Sequence, residues 1–205
     1  MHAIELLKNK EVYRYSKLAL ESSPGIMEFG VSRDFGSTKL IADLAIETKS
    51  TIKLVDPNIN TLEKAVLSLD LDIPFESICK KGEDVDQEYF KNVGLFHLDG
   101  FDIVTSHKHK KSTIDSYADA GIELLKDGNV LSAISHYKIA EKILISNSNK
   151  NCVILIDDTW IQNGVWQGKG AMTVPLLISN GFYLISKPSR NRILKKYKWG
   201  VALFR

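Results

Sequence analysis

The stretch GIMEFGV, residues 25–31, decides the fold class of this chain. It is a short apolar run that reaches a glycine at Gly30, and a polar loop over residues 32–36 follows it. Such a run, bounded by glycine and followed by a helical pattern, predicts a buried β-strand. Ser37 or Thr38 can cap the next helix, whose apolar positions form one stripe. The sequence therefore predicts a strand–loop–helix unit here.

Six more strands are predicted downstream of this unit. They lie at about residues 51–56, 75–80, 94–99, 152–157, 181–186 and 199–204. Helical patterns separate most of them, which indicates crossover connections and a mostly parallel sheet. The near-continuous apolar runs of the fourth and fifth strands are typical of central strands covered on both faces. We therefore expect an α/β, Rossmann-like, seven-stranded, mostly parallel sheet with helices on both faces.

Two helical segments lie outside this alternation. Residues 1–24 predict an N-terminal helix, and residues 113–147 predict a helical-hairpin insertion between strands four and five, joined at residues 127–129. The hairpin has the spacing of one tetratricopeptide-like repeat, but such repeats need neighbours to bury their faces, so an ordinary hairpin is favoured. A length of 205 residues indicates a single domain, 1–205.

The composition is that of an ordinary soluble globular protein, with 44% hydrophobic and 25% charged residues. A net charge of only +2 gives no reason to expect nucleic acid or an anionic membrane as the main partner. The two cysteines form no metal-binding cluster, and no apolar run is long enough to cross a bilayer. With no signal-peptide pattern, we expect a cytoplasmic protein. A homodimer is compatible with the sequence.

Acidic residues lie at the ends of four predicted strands. The first strand ends in Glu28-Phe29-Gly30, the second in Asp56, the fourth in Asp99 and the fifth in Asp157 and Asp158. In open α/β sheets, ligands bind beyond the carboxyl ends of the strands, near the point where the strand order reverses. Turns and helix caps also favour aspartate, so any one of these residues can be purely structural. The four strand ends together predict a binding site.

The loop after the first strand is flanked by Gly30 and Gly36, which allow a ligand to approach the backbone closely. No GK[ST] motif follows it, so it is not a P-loop, and it lacks the GxGxxG pattern of nicotinamide enzymes. Asp56 follows at about the distance at which an acidic side chain binds ribose hydroxyls in doubly wound folds. A nucleotide-binding turn of another type is predicted.

Five motifs occur in order along the chain: MEFGV (27–31), GST (36–38), LVDP (54–57), FHLDG (96–100) and ILIDD (154–158). Together they resemble the motifs of class I S-adenosylmethionine (SAM)-dependent methyltransferases, over about residues 25–186. The most similar branch is the metal-dependent small-molecule O-methyltransferases of the macrocin type and, more distantly, the catechol type. The resemblance implies a SAM-dependent enzyme that methylates a small-molecule or sugar hydroxyl with the help of a divalent metal.

The resemblance also implies roles for individual residues. It implies cofactor binding by Glu28, Gly30, Gly36, Ser37, Asp56, Glu83, Asp84 and Asp99, and metal binding by Asp99, Asp157 and Asp158. The metal site also has a physical argument, because three converging carboxylates repel one another and a hard cation such as Mg²⁺ relieves that repulsion. Such a metal would bind the substrate hydroxyl and lower its pKa. The alternative is that Asp157 and Asp158 only begin a loop.

The general base is predicted less directly. Members of the family often carry an acidic or basic side chain two or three residues after the first metal-binding aspartate; here Phe101 cannot act and Asp102 follows. His107 is a second candidate, since a histidine near its ordinary pKa is a good base at neutral pH. The alternative for His107 is a solvated loop. His97, inside the fourth strand, is interpreted as a core histidine.

Two departures from the family leave alternatives open. The loop between Gly30 and Gly36 and the segment between Asp99 and Asp157 are both longer than usual. The glycine-rich residues 163–170 predict either a flexible lid, with a lysine that binds an anionic group, or a long connection. A non-catalytic methyltransferase-like module that binds or assembles through the 113–147 hairpin is therefore an alternative function. A nucleotide-sugar or NAD-linked enzyme on the same architecture is a third.

Overall fold

A computed structural model describes residues 4–31, 36–69, 74–100, 114–115, 118, 124–147, 150–191, 196–198 and 200–205 of the chain. Its elements in chain order are α1 (Ile4–Leu7), α2 (Lys10–Ser22), β1 (Gly25–Phe29), α3 (Gly36–Thr48), β2 (Thr51–Val55), α4 (Ile59–Leu69), β3 (Phe75–Ile78), β4 (Leu95–Leu98), α5 (Leu124–Ser146), β5 (Val153–Asp157), β6 (Thr159–Gln162), β7 (Val165–Gly168), α6 (Gly170–Ser179), β8 (Tyr183–Ser186), β9 (Ser189–Asn191), β10 (Lys196–Lys198) and β11 (Gly200–Phe204). Short 3-10 turns lie at Gly82–Asp84 and Gln87–Phe90.

The main sheet has seven strands in the order β3-β2-β1-β4-β5-β11-β8. The first five strands are parallel to one another, whereas β11 runs antiparallel to both β5 and β8. The predicted α/β fold with a mostly parallel, seven-stranded sheet is therefore confirmed. Each of the seven strands of this sheet lies within a range predicted for a strand. None of the helices in the described part of the chain combines the length and apolarity needed to cross a membrane.

Two apolar cores, one on each face of the sheet, confirm that helices cover both faces. Alternate side chains of a strand point to opposite faces, so Ile26 lies in one core and Met27 in the other. The first core includes Leu20 of α2 and Ile41 of α3. The second includes Ile143 of α5 together with residues of α6. Each fully buried side chain of this size stabilises the fold by roughly 1.5–3 kcal/mol.

The N-terminal segment differs in one respect from its prediction as a single helix. Helix α1 ends at Leu7, and α2 begins at Lys10. Asn9 separates them because it has extended backbone angles and its side chain accepts a hydrogen bond from the backbone N–H of Glu11 at 2.9 Å. Asparagine is a favoured residue at this capping position.

Helix α5 corresponds to the second half of the predicted helical hairpin. It runs without interruption through residues 127–129, so the turn predicted there is wrong. A glycine inside a helix costs only about 1 kcal/mol relative to alanine, and tertiary packing overrides that preference. Here Gly128 is buried, and α5 packs against α6 and the 3-10 turns. Most of the first half of the predicted hairpin lies outside the described residues.

Residues 159–168 form a β-hairpin of β6 and β7, where the sequence analysis offered a lid or a long connection. Thr159 pairs with Gly168 and Gln162 pairs with Val165. The turn residues Asn163 and Gly164 both have positive φ angles, of 51° and 78°. An Asn-Gly pair with two positive φ angles is the preferred two-residue hairpin turn.

Candidate functional site

The carboxyl ends of β1 and β4 mark the point where the strand order reverses. After β1 the chain continues to β2 on one side, while β5 follows β4 on the other side. The backbone is tight at this point: Gly30 has a φ of 82°, and a Cβ on it would lie 2.6 Å from the carbonyl oxygen of Asp99. Only glycine fits such an approach without strain. Crevices at such reversal points are where ligands of this architecture bind.

The carboxylate of Asp56 lies beside the chain that leaves β1. Its Oδ2 accepts a hydrogen bond from the backbone N–H of Val31 at 3.2 Å, and its Oδ1 accepts one from the N–H of Asn58 at 2.8 Å. In the same place the N–H of Gly30 donates to the carbonyl of Val55 at 2.9 Å. The predicted cofactor residues Gly30, Asp56 and Asp99 are thus brought together at the ends of three adjacent strands.

Glu28 and His97 form a buried pair on adjacent strands. They lie opposite each other in the register of β1 and β4, and His97 Nδ1 lies 3.0 Å from Glu28 Oε1. Burial works to lower the pKa of His97, but the hydrogen bond and charge of Glu28, together with the charges of Asp99 and Asp157, outweigh it, so the pKa is raised. Glu28 Oε2 and His97 Nε2 are buried and have no hydrogen-bond partner among the described residues. Buried polar atoms of this kind indicate that water or a ligand completes the site.

Lys169 joins the ends of β4 and β5. Its side chain is 1% exposed, and its Nζ lies 2.5 Å from Asp99 Oδ1, 3.2 Å from the Asp99 carbonyl oxygen and 3.2 Å from Asp158 Oδ2. Burial works to lower the pKa of Lys169, but Asp99, Asp158 and Asp157 raise it more, so the net shift is upward. Lys169 therefore carries its charge, and the sequence analysis missed this role.

The β6–β7 hairpin holds Lys169 in place. Gly168 has a φ of 75°, and a Cβ there would overlap the carbonyl oxygen of Asp158. The backbone N–H of Lys169 donates to that carbonyl at 3.2 Å, and the N–H of Gly170 donates to Thr159 Oγ1 at 2.9 Å. The glycines on both sides let the chain return close to the end of β5, with the lysine pointing to the aspartates.

The residues at this edge do not fit a divalent cation that bridges Asp99 and Asp158, because the Lys169 ammonium already binds both. A different group, His97, Asp99 and Asp157, offers one ligand atom each, all within 4.8 Å of one another. Burial raises the pKa of Asp99 to about 6, and Asp157 raises it too, while Lys169 acts in the opposite direction. Metal binding by the three predicted aspartates stays a prediction.

The predicted residues of α3 lie at the start of that helix. Gly36 is its first residue, and Ser37 and Thr38 are buried. The hydroxyl oxygens of Ser37 and Thr38 have no hydrogen-bond partner in the described part of the chain. A helix N-terminus with unpaired hydroxyl groups suits a polar ligand.

Glu83 and Asp84 lie in the first 3-10 turn after β3, where the resemblance placed the adenine end of the cofactor. Glu83 is half-buried and bonded to α5: its Oε2 accepts a hydrogen bond from Ser135 at 2.5 Å, and its carbonyl accepts one from Lys142 Nζ at 2.5 Å. Asp84 is exposed. Glu83 therefore has a packing role, and its role in cofactor binding stays a prediction. The candidate bases Asp102 and His107 lie outside the described residues.

His136 of α5 is a buried histidine that the sequence analysis missed. Its Nδ1 donates a hydrogen bond to the carbonyl of Ser132 at 2.6 Å, and its Nε2 has no partner among the described residues. Burial lowers its pKa to about 3, and the charge of Lys169 acts in the same direction. No sequence pattern marks this residue, because its burial depends on how α5 packs.

The sequence matches no protein-family model and no curated protein. Similar solved structures include an rRNA methylase from Streptococcus thermophilus, with 16% identity, a TM-score of 0.52 and coverage of 93% of this chain and 92% of that one. A candidate methyltransferase from Streptococcus mutans, solved in complex with SAH, has 11% identity, a TM-score of 0.53 and 94% coverage of both chains. The N-methyltransferase NodS from Bradyrhizobium japonicum has 8% identity, a TM-score of 0.50 and coverage of 97% and 98%. At these identities the likeness shows a shared methyltransferase fold.

Proposed function

We propose that the chain binds SAM at the carboxyl ends of β1, β2 and β4 and transfers its methyl group to a hydroxyl of a small molecule or sugar. The observation that carries this proposal is the meeting of Gly30, Asp56 and Asp99 where the strand order reverses. The fold shared with methyltransferases, one of them solved with SAH, supports it.

The residues at this edge suit such a cofactor. Gly30 lets the chain that leaves β1 pass close to the backbone of Asp99 and Gly100, where a Cβ would overlap. In the proposed complex Asp56 accepts hydrogen bonds from ribose hydroxyls, as acidic residues at the end of a second strand do in doubly wound folds. Glu28 Oε2 and Ser37 Oγ are buried without a partner in the described part of the chain. A polar ligand would satisfy such groups.

SAM supplies a methyl group on a positively charged sulfur, so the C–S bonding electrons stay with sulfur when the acceptor oxygen forms its bond to carbon. The protein must therefore orient the hydroxyl and remove its proton. Asp102 and His107 remain the proposed proton acceptors, on the sequence argument. Assistance by Mg²⁺ also remains part of the sequence-based hypothesis, but the contacts of Lys169 oppose a metal between Asp99 and Asp158.

The proposed class of acceptor follows from the net charge of the chain. A net charge of +2 over 205 residues favours a small acceptor over an extended nucleic acid, because binding to a phosphate backbone relies on many basic contacts. The similar structures include proteins named for rRNA methylation and for N-methylation. One fold therefore serves different acceptors, and the fold alone does not select among them.

Calorimetric titration with SAH tests the cofactor site. We expect micromolar binding by the wild type and roughly 10- to 100-fold weaker binding by Asp56→Asn, since a hydrogen bond to a charged group contributes about 1.5–3 kcal/mol. Asparagine keeps one acceptor oxygen, so one of the two backbone hydrogen bonds of Asp56 is lost, and the melting temperature of the variant is measured alongside its affinity. Asp86→Asn is the matched control, because Asp86 is an exposed residue paired with Lys80 at 2.6 Å.

Two results would redirect the proposal. Equal SAH affinity of wild type and Asp56→Asn would contradict the assigned pocket. No SAH binding by the wild type would contradict SAM dependence and favour the binding-module alternative. Once SAH binds, a methyl-transfer screen with sugar, phenol and RNA acceptors tests the acceptor class, and turnover of RNA alone would contradict the small-molecule assignment.

A further inference from the structure

The ammonium group of Lys169 makes two hydrogen bonds, both to Asp99, and an ion pair with Asp158. A lysine ammonium has three donors. Three acceptors surround Nζ: Asp99 Oδ1 at 2.5 Å, the Asp99 carbonyl at 3.2 Å and Asp158 Oδ2 at 3.2 Å. The side chain is 1% exposed, so the ammonium faces these groups inside the protein and is shielded from solvent. Lys169 is therefore directed to the protein's own carboxylates, and not to an anionic substrate as its sequence position had suggested.

The charge of Lys169 offsets the repulsion between the carboxylates at the strand ends. Asp99, Asp157 and Asp158 bring three carboxylates to one edge, and two of them are within 3.2 Å of the buried ammonium. Burying a lone ammonium costs far more than a fold can tolerate, so a buried lysine persists only when it is paired. Carboxylates that converge in this way repel one another unless a cation is bound or one of them is protonated.

The surrounding backbone is shaped for this one side chain. Gly168 and Gly170 flank Lys169, and a Cβ on either would overlap its neighbours, the Asp158 carbonyl in the first case and the Thr159 side chain in the second. The hydrogen bond from Gly170 N–H to Thr159 Oγ1 fixes the return of the chain. Larger residues on either side would push the lysine away from the aspartates.

We propose that the ammonium group of Lys169 takes the place of a divalent cation at the ends of β4 and β5, so that a covalently attached charge holds Asp99 and Asp158 in position. The inference rests on the proposed function only in taking this edge of the sheet as the active site. Its tests measure stability and metal binding in the absence of SAM. Lys169 is a positioning residue, because it acts through the two aspartates. A divalent ion can bridge them only after the ammonium has been displaced.

Titration of the wild-type protein with Mg²⁺ and Mn²⁺ is the first test. We expect no saturable heat of binding, and the same melting temperature in EDTA, Mg²⁺ and Mn²⁺. Saturable binding of either ion that raises the melting temperature would overturn the proposal and favour the group of His97, Asp99 and Asp157 as a metal site.

Two substitutions of Lys169 supply a test with a gain of function. Lys169→Met and Lys169→Ala both leave buried carboxylates without a counter-charge, so each is expected to lower the melting temperature by roughly 6–20 °C. The alanine variant leaves room for an ion, and Mn²⁺ at 100 times its Kd is expected to restore roughly 5–10 °C. The methionine variant fills the space and is expected to show no such restoration. If Lys169 only packed against the hairpin, its replacement by alanine would not make the melting temperature depend on Mn²⁺.

Lys80→Ala is the control, because Lys80 pairs with Asp86 at 2.6 Å but is 43% exposed. It is expected to change the melting temperature by at most about 4 °C, and Mn²⁺ should have no effect on it. Lack of any Mn²⁺ response by Lys169→Ala would overturn the proposal. If neither single variant folds, adding Asp99→Asn to Lys169→Met is expected to restore folding by removing the unpaired charge, and failure to do so would equally overturn it.

Discussion

His136 is expected to make the folded protein sensitive to acid. Burial lowers its pKa to about 3 from an ordinary value of 6.5, and the charged groups around it are Lys169, His97 and Asp157. The folded protein therefore keeps His136 neutral at pH values where the unfolded chain binds a proton. Because the pKa is lower in the folded state, the stability that this residue contributes is present above pH 6.5 and is lost as the pH falls towards 3.

The size of this effect follows from the shift. Each pH unit below 6.5 lowers the free energy of unfolding by about 1.4 kcal/mol for a single group of this kind. Between about pH 7 and pH 5 the loss from His136 is then about 2 kcal/mol. For a chain of this length, that corresponds to roughly 4–8 °C in melting temperature.

Urea unfolding at a series of pH values measures the effect, with His136→Gln as the comparison. Glutamine does not titrate, and its amide can still donate a hydrogen bond to the Ser132 carbonyl. Other titrating groups are common to both proteins, so the difference between the two stability curves isolates His136. We expect the curves to be parallel above about pH 7.5 and to converge by about 2 kcal/mol towards pH 5. Parallel curves over the whole range would refute the reasoning.

Two further predictions concern the strand ends. Gly168→Ala is expected to lower the melting temperature more than Gly164→Ala. Both glycines have similar positive φ angles, so each variant loses about 1–2 kcal/mol of folding stability from backbone strain. Only Gly168→Ala also places a Cβ against the carbonyl oxygen of Asp158. Equal losses in a thermal unfolding comparison would show that the close approach is not tight. Glu28→Gln is expected to lower the pKa of His97, because it removes a carboxylate that raises this pKa. NMR titration of the imidazole protons measures the change, and an unchanged pKa of His97 would contradict the buried pair.

The sequence was sufficient for the parts of the fold that depend on local patterns. Strands β1, β4 and β5 are apolar runs that end in a glycine or an aspartate, so their positions and their acidic ends could be predicted. The meeting of Gly30 with Asp99 follows from the rule that parallel strands end at one edge. Local patterns and one general rule therefore led to the candidate site.

Features that depend on tertiary packing could not be predicted in this way. The position of Lys169 depends on the β6–β7 hairpin, which the Asn-Gly pair at Asn163 signals in the sequence. Even with that turn, a lysine after a hairpin is usually solvated, and only the packed structure shows it buried. His136 is similar, because its hydrogen bond within α5 is local but its burial is not.

The place of β11 in the sheet has a consequence for synthesis of the protein on the ribosome. Strand β11 lies between β5 and β8, although both of these are translated before it. At about 5–20 residues per second, the interval between translation of Asp157 and of Gly200 lasts roughly 2–9 s. During that interval the edge of β5 is unpaired and apolar, the kind of surface that pairs with other chains. Nascent chains of this protein are thus exposed to aggregation, or to capture by chaperones, until β11 closes the gap.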